Sequence, residues 1–186
     1  MPATRTSVNT ITFNGLEYTA VKEFRCAYLL PFSWFCCCRP DITVLKGGKI
    51  IGTVEMPCYP EFVCKLEVNC YKGESRDEAS KLWTLKKCIC NCHTMFGKQC
   101  GCCADCAKYM DIEISPGAAG QNAIHGKLQK EHFGCVNECY TMADKYNFDC
   151  PSQNPDENAI FIAAVQFIDM LYFENNYSLL YGHGGI

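Results

Sequence analysis

Two clusters of cysteine and one isolated acid carry the residue types and spacings in this chain that could do chemistry. Cys36-Cys37-Cys38 lies beside Phe32, Trp34 and Phe35. Thioester acylation there would set palmitate chains next to aromatic rings that favour a membrane interface. Adjacent sites matter, because a single acyl chain anchors a protein only marginally. The competing reading is buried free thiols acting as small apolar residues. Three in a row cannot all fit it, since successive strand residues face opposite ways.

The second cluster is Cys88-x-Cys90-x-Cys92-His93 followed by Cys100-x-Cys102-Cys103-x-x-Cys106. Two short clips can supply the soft tetrahedral ligands that zinc takes, with Cys88, Cys90, Cys92, His93, Cys100, Cys103 and Cys106 as the candidate set. The C-x-C clip is less usual than C-x-x-C, and plain free thiols stand beside zinc as a reading. The isolated acid is Asp169, inside the most apolar segment of the chain. In a bilayer an acid at mid-helix is costly and usually functional. In a protein core it needs a buried hydrogen-bond partner.

The elements that must position these groups are mostly strands. Thr10–Phe13 and Leu16–Val21 flank Asn14-Gly15, and Asp41–Leu45 and Ile50–Glu55 flank Lys46-Gly47-Gly48-Lys49, so both pairs are expected to be hairpins. Phe62–Val68 alternates apolar and polar residues as a half-buried strand does. Shorter strands are expected at Lys81–Leu85, Asp111–Ile114 and Ile124–Leu128, with Lys72–Ser80 as a charged, flexible excursion. Residues 86–107 form a cysteine-rich insertion, and 175–186 a tail. Asn154-Pro155-Asp156-Glu157 reads as a helix start: a capping amide, proline in the first turn, then acids at the positive dipole end. The helix expected over 155–174 is apolar nearly all round and must be enclosed by protein or lipid. It is too short in apolar residues for an ordinary span, which favours a core helix.

Composition narrows the setting. The 186 residues read as a single domain over 1–186, large enough for a real core. The net charge of −3 leaves no basic face for nucleic acid. Lys81, Lys86 and Lys87 read as a solvated surface. There are 17 cysteines, an odd and high number, yet Met1–Thr10 is polar and lacks the apolar core of a signal peptide. That combination points to the cytosol or a membrane face toward it, with thiols free, acylated or metal-bound. His93, His125, His132 and His183 come with no hydrolase, metalloprotease or nucleotide-binding motif, so no covalent catalysis is expected.

The order of several segments resembles the phospholipid scramblase family. They are Phe32-Ser-Trp34-Phe-Cys36-Cys37-Cys38-Arg-Pro-Asp-Ile-Thr-Val44, Ile51–Val54, Pro57–Pro60 and Phe62–Val68, and later Gly126–Gly134, Thr141–Asp144, Ala159–Ala164 and Phe167–Glu174. The resemblance covers roughly 12 to 175. It implies a mainly β fold, an antiparallel tubby-like barrel enclosing a C-terminal apolar helix, here shortened at its N-terminus and incomplete. Some eight or nine strands are written in this chain, fewer than that barrel uses. The resemblance also implies an acylated cysteine-rich loop where zinc is the alternative. It implies a calcium loop ahead of the helix: Asp144 falls on one of its positions, and Asp149, Asp156 and Glu157 lie nearby. Met142 stands in place of that loop's first acid, and Asp156 and Glu157 are already explained as helix-start residues. For Asp169 the family's own acid favours a structural role.

The activity implied is movement of phospholipids between leaflets without ATP, at the cytoplasmic face of a plasma or organelle membrane, mitochondria included. The alternative is a non-transporting structural or interaction subunit of a membrane-associated assembly, with a partner chain completing the barrel.

Overall fold

The computed structural model describes residues 6–23, 40–57, 65–88, 109–120, 127–131 and 145–173. Among the described residues nine strands follow one another in a single sheet, each antiparallel to the next: β1 (Ser7–Phe13), β2 (Leu16–Lys22), β3 (Asp41–Lys46), β4 (Lys49–Glu55), β5 (Lys65–Lys72), β6 (Lys81–Cys88), β7 (Tyr109–Pro116), β8 (Leu128–Glu131) and β9 (Lys145–Phe148). Helix α1 (Pro155–Ile168) follows, and a π-helical turn at Asp169–Phe173 extends it. The sheet curls into a half-barrel with the helix in its hollow.

The two expected hairpins form. Asn14 and Gly15 both have positive φ (51° and 75°), as do Gly47 (57°) and Gly48 (81°). These are the backbone conditions of tight turns that match strand twist. β1 begins at Ser7, earlier than expected, and β7 is longer than the expected Asp111–Ile114. Of the expected strand Ile124–Leu128, Leu128 opens β8 and 124–126 lie outside the described residues. Within Phe62–Val68, residues 62–64 lie outside as well, while β5 runs on to Lys72. β9 was not foreseen.

The side-chain alternation of each strand sorts the sheet into two faces. Ile42, Val54, Cys70 and Trp83 are direct register partners from strand to strand and are each at most 1% exposed. With Leu66, Val68 and Leu85 they line the inner face against the helix. Gly52 on β4 lies close against the helix: a Cβ there would collide with the Ile160 side chain. Opposite it, α1 buries Ala159, Ile160, Phe161, Ala163, Ala164, Val165, Phe167 and Ile168. Burying each of the large ones stabilises the fold by about 1.5–3 kcal/mol.

Both ends of the sheet reach this helix. It packs on β1, β3, β4 and β5. Phe161 meets Trp83 of β6 edge-on (6.1 Å between centroids) and Phe148 of β9 (5.7 Å). The helix start is built as the sequence indicates: Asn154 accepts from the Asp156 backbone N–H at 3.0 Å, with Pro155 in the first turn. No helix among the described residues is long and apolar enough to cross a membrane.

Candidate functional site

The N-terminus of α1 is where acidic side chains gather against the strand ends. Asp156 Oδ1 accepts from Lys46 Nζ at 2.7 Å and from Tyr18 Oη at 2.9 Å. The Lys46 ammonium also sits 5.6 Å from the centre of the Tyr18 ring. Glu157 accepts from Ser152 Oγ at 2.7 Å and from Lys72 Nζ at 3.2 Å. Asn158, buried, bonds Ser152 through both ends of its amide. β2, β3 and β5 thus hold the helix start by polar contacts.

The electrostatics follow. The hydrogen bond from Lys46 is the largest influence on Asp156; with Tyr18 and the Lys46 and Lys72 charges it outweighs burial and holds the carboxyl below its ordinary range. The Tyr18 hydroxyl is pushed up to about 12, first by burial and then by its bond to the Asp156 carboxylate. At neutral pH the Asp156 carboxylate is charged and already shared between two donors.

Other expected site residues are dispersed. Asp149 is exposed just after β9, its backbone N–H donating to the Lys127 carbonyl at 2.9 Å. Its charge, after burial, helps raise the neighbouring Cys150 thiol. Asp169, half-buried at the start of the π turn, accepts from the Tyr146 hydroxyl of β9 at 2.8 Å. Cys88 is the last residue of β6, in register with Lys65. Asp144, Cys36, Cys37, Cys38, Cys90, Cys92, His93, Cys100, Cys103 and Cys106 lie outside the described residues. Among the described residues, no three or more His, Cys, Asp or Glu side chains are grouped to hold a metal ion.

A second cluster was not anticipated. Arg76, from the 73–80 connection, donates to Asp41 Oδ2 at 2.6 Å and to Glu55 Oε2 at 2.9 Å. The two carboxylates are only 6% and 4% exposed. They are register partners across β3 and β4, so they share a face and would repel without a cation between them. Burial works against the guanidinium's charge, but its bonds and charge pairing with Asp41 and Glu55 prevail and raise its pKa. The supposed excursion is therefore latched: Ser75, Asp77 and Ser80 bond one another within it, and Gly73 N–H donates to the Ile51 carbonyl. The sequence held a signal for this. Asp41 and Glu55 stand at the two far ends of the predicted β3–β4 hairpin, where pairing brings them opposite each other.

Register extends this acid pair into a polar row on the outer face: Asp41, Glu55, Asn69, Thr84 and Ser115 are partners in turn across β3 to β7. Thr84 Oγ1 donates to Asn69 Oδ1 at 2.8 Å within it.

The described residues thus form a curled antiparallel sheet packed on an apolar helix, with the helix start tied to the strand ends. Comparison with known proteins gives the family. A family model described as Scramblase matches residues 24–175, most of the chain, and the chain belongs to the Scramblase family. It is 25% identical over 146 residues to phospholipid scramblase 1 of Rattus norvegicus, covering 75% of this chain and 36% of that protein. The corresponding proteins of Mus musculus and Homo sapiens are 25% and 26% identical over 145 and 144 residues, 37% and 38% of their lengths. The chain thus spans little more than a third of the curated relatives it matches. No solved structure matches it. The matched region begins at residue 24, just past β2, so the β1–β2 hairpin precedes it.

Proposed function

We propose that this chain works at a membrane as a scramblase-like protein, contributing to ATP-independent exchange of phospholipids between leaflets rather than to covalent catalysis. The observation that carries the reading is the Scramblase family match over 24–175, in a sheet-and-helix fold of the kind the resemblance implies. Membrane phospholipids are its partners in this reading, and the cytoplasmic face of a plasma or organelle membrane is its site. With the helix enclosed by strands, attachment comes from acylation: palmitate on Cys36, Cys37 and Cys38 supplies the two or more chains that stable anchoring needs. Hydroxylamine-sensitive membrane attachment would support this. Zinc held by the cysteines of 88–106 is the alternative use of the second cluster, and elemental analysis of the purified chain decides it.

The deciding experiment is dithionite quenching of fluorescent phospholipid in liposomes that contain the purified chain, with and without calcium. Loss of the protected inner-leaflet signal, beyond a leak control, is the expected result. Calcium dependence would support Asp144 and Asp149 as ligands; equal loss without calcium would support scrambling independent of it.

A second reading is a non-transporting interaction subunit of a membrane-associated assembly. The engagement of Asp156 by Lys46 and Tyr18 favours it, because that carboxylate is committed to holding the helix and would have to be released to bind an ion. No signal loss beyond protein-free liposomes would favour this reading over the first.

A further inference from the structure

The outer edge of β1 is built to pair and has nothing paired to it among the described residues. In a hairpin with a two-residue loop, the residues flanking the loop form a hydrogen-bonded pair, and bonding then alternates along the strands. Phe13 is paired with Leu16, so Phe13, Ile11, Asn9 and Ser7 bond to β2. Val8, Thr10 and Thr12 therefore turn their backbone N–H and C=O groups outward. The side chains of the same three residues are exposed, Val8 by 63%.

Devices that normally protect such an edge are missing here. Ser-Val-Asn-Thr-Ile-Thr-Phe contains no charge, proline or glycine, and its register with β2 runs without a bulge. The other end of the sheet differs: β9 is four residues long, carries Lys145 and Asn147, and pairs Lys145 with Glu131 of β8 at 2.7 Å.

We infer that β1 is a self-association edge, pairing antiparallel with β1 of a second copy about a two-fold axis through Thr10. That register sets Thr10 opposite Thr10 of the partner and Val8 opposite Thr12. Every outward-facing backbone group of the three residues then gains a bond, and the exposed row becomes β-branched pairs throughout. Sliding by one residue would oppose outward groups to inward ones, and sliding by two would leave groups unpaired. A charged peptide would find no counter-charge on this edge, whereas a second copy meets it neutral to neutral. The inference does not depend on lipid transport.

Charge swapping at the axis tests it on the full chain by sedimentation velocity across a micromolar to submillimolar range. The wild type shifts toward dimer as concentration rises. Thr10→Lys and Thr10→Glu, each placing like charges directly opposite, weaken self-association by an order of magnitude or more, and an equimolar mixture of the two restores it. Unchanged circular dichroism of each variant shows the domain still folded, as expected for a side chain facing water. Thr10→Pro removes only an outward N–H and gives the same loss. A monomeric wild type at every concentration, or self-association that both charge variants leave intact, would overturn the inference. So would a mixture no more associated than its components.

Discussion

The inner and outer faces of β3 to β6 are one residue apart in sequence and opposite in physics. Inside, Ile42, Val54, Cys70 and Trp83 form an apolar row closed by the helix. Outside, Asp41, Glu55, Asn69 and Thr84 form a polar row, the first three buried and Thr84 half-buried. The inner row is held by area removed from water. The outer row is held by pairing, with Arg76 and the cross-strand bonds engaging its members. Volume therefore sets the sensitivity of one face, and complementarity that of the other.

The largest expected effect breaks the inner face. Phe161→Ala removes the ring that joins Trp83 to Phe148 and should cost about 3–5 kcal/mol, read as a lower midpoint in urea denaturation. Arg76→Ala tests the outer face. It leaves two buried carboxylates facing each other and should cost about 2–3 kcal/mol, less than a fully buried pair because the guanidinium is 39% exposed. Asp41→Asn combined with Arg76→Ala should recover part of that loss, which Phe161→Ala would not share. A smaller effect is expected at the helix cap, where Asn154→Ala should cost about 1 kcal/mol by the same assay.

The smallest effect should be at Asp156, whose pair with Lys46 is partly exposed on both sides. Asp156→Asn should cost under about 1 kcal/mol at neutral pH. Its pH dependence has a definite sign. The folded carboxyl lies below its unfolded value, so the stabilisation is present above the ordinary carboxylate range and is lost as pH falls through the folded value. The difference between wild type and Asp156→Asn should therefore vanish in acid, which a series of melts across that range would show.

Much of the fold was legible because its signals are local. Asn14-Gly15 and Gly47-Gly48 demand positive φ, alternation in β5 marks a half-buried strand, and Asn154-Pro155 starts the helix whatever surrounds it. β9 was missed because Lys-Tyr-Asn-Phe has no period of its own and is a strand through its pairing with β8. Lys72–Ser80 reads from sequence as a charged, flexible excursion; only the fold carries Arg76 back to Asp41 and Glu55. The candidate site was less legible. Asp156 and Glu157 read from sequence as helix-start residues beside a candidate ion loop, and Lys46, Tyr18 and Lys72, distant in the chain, show what engages them. Asp169 likewise needed Tyr146 to be placed before its environment could be stated.

The claim on which the rest stands is that the apolar helix belongs to the protein core even when lipid is at hand. Hydrogen exchange of the peptide covering Pro155–Ile168, with and without phospholipid vesicles to which the chain is bound, measures this directly. The structure predicts slow exchange that lipid leaves unchanged, since the helix backbone is bonded internally and covered by β1, β3, β4 and β5. Fast exchange without vesicles that becomes slow with them would mean that lipid, and not the sheet, encloses the helix.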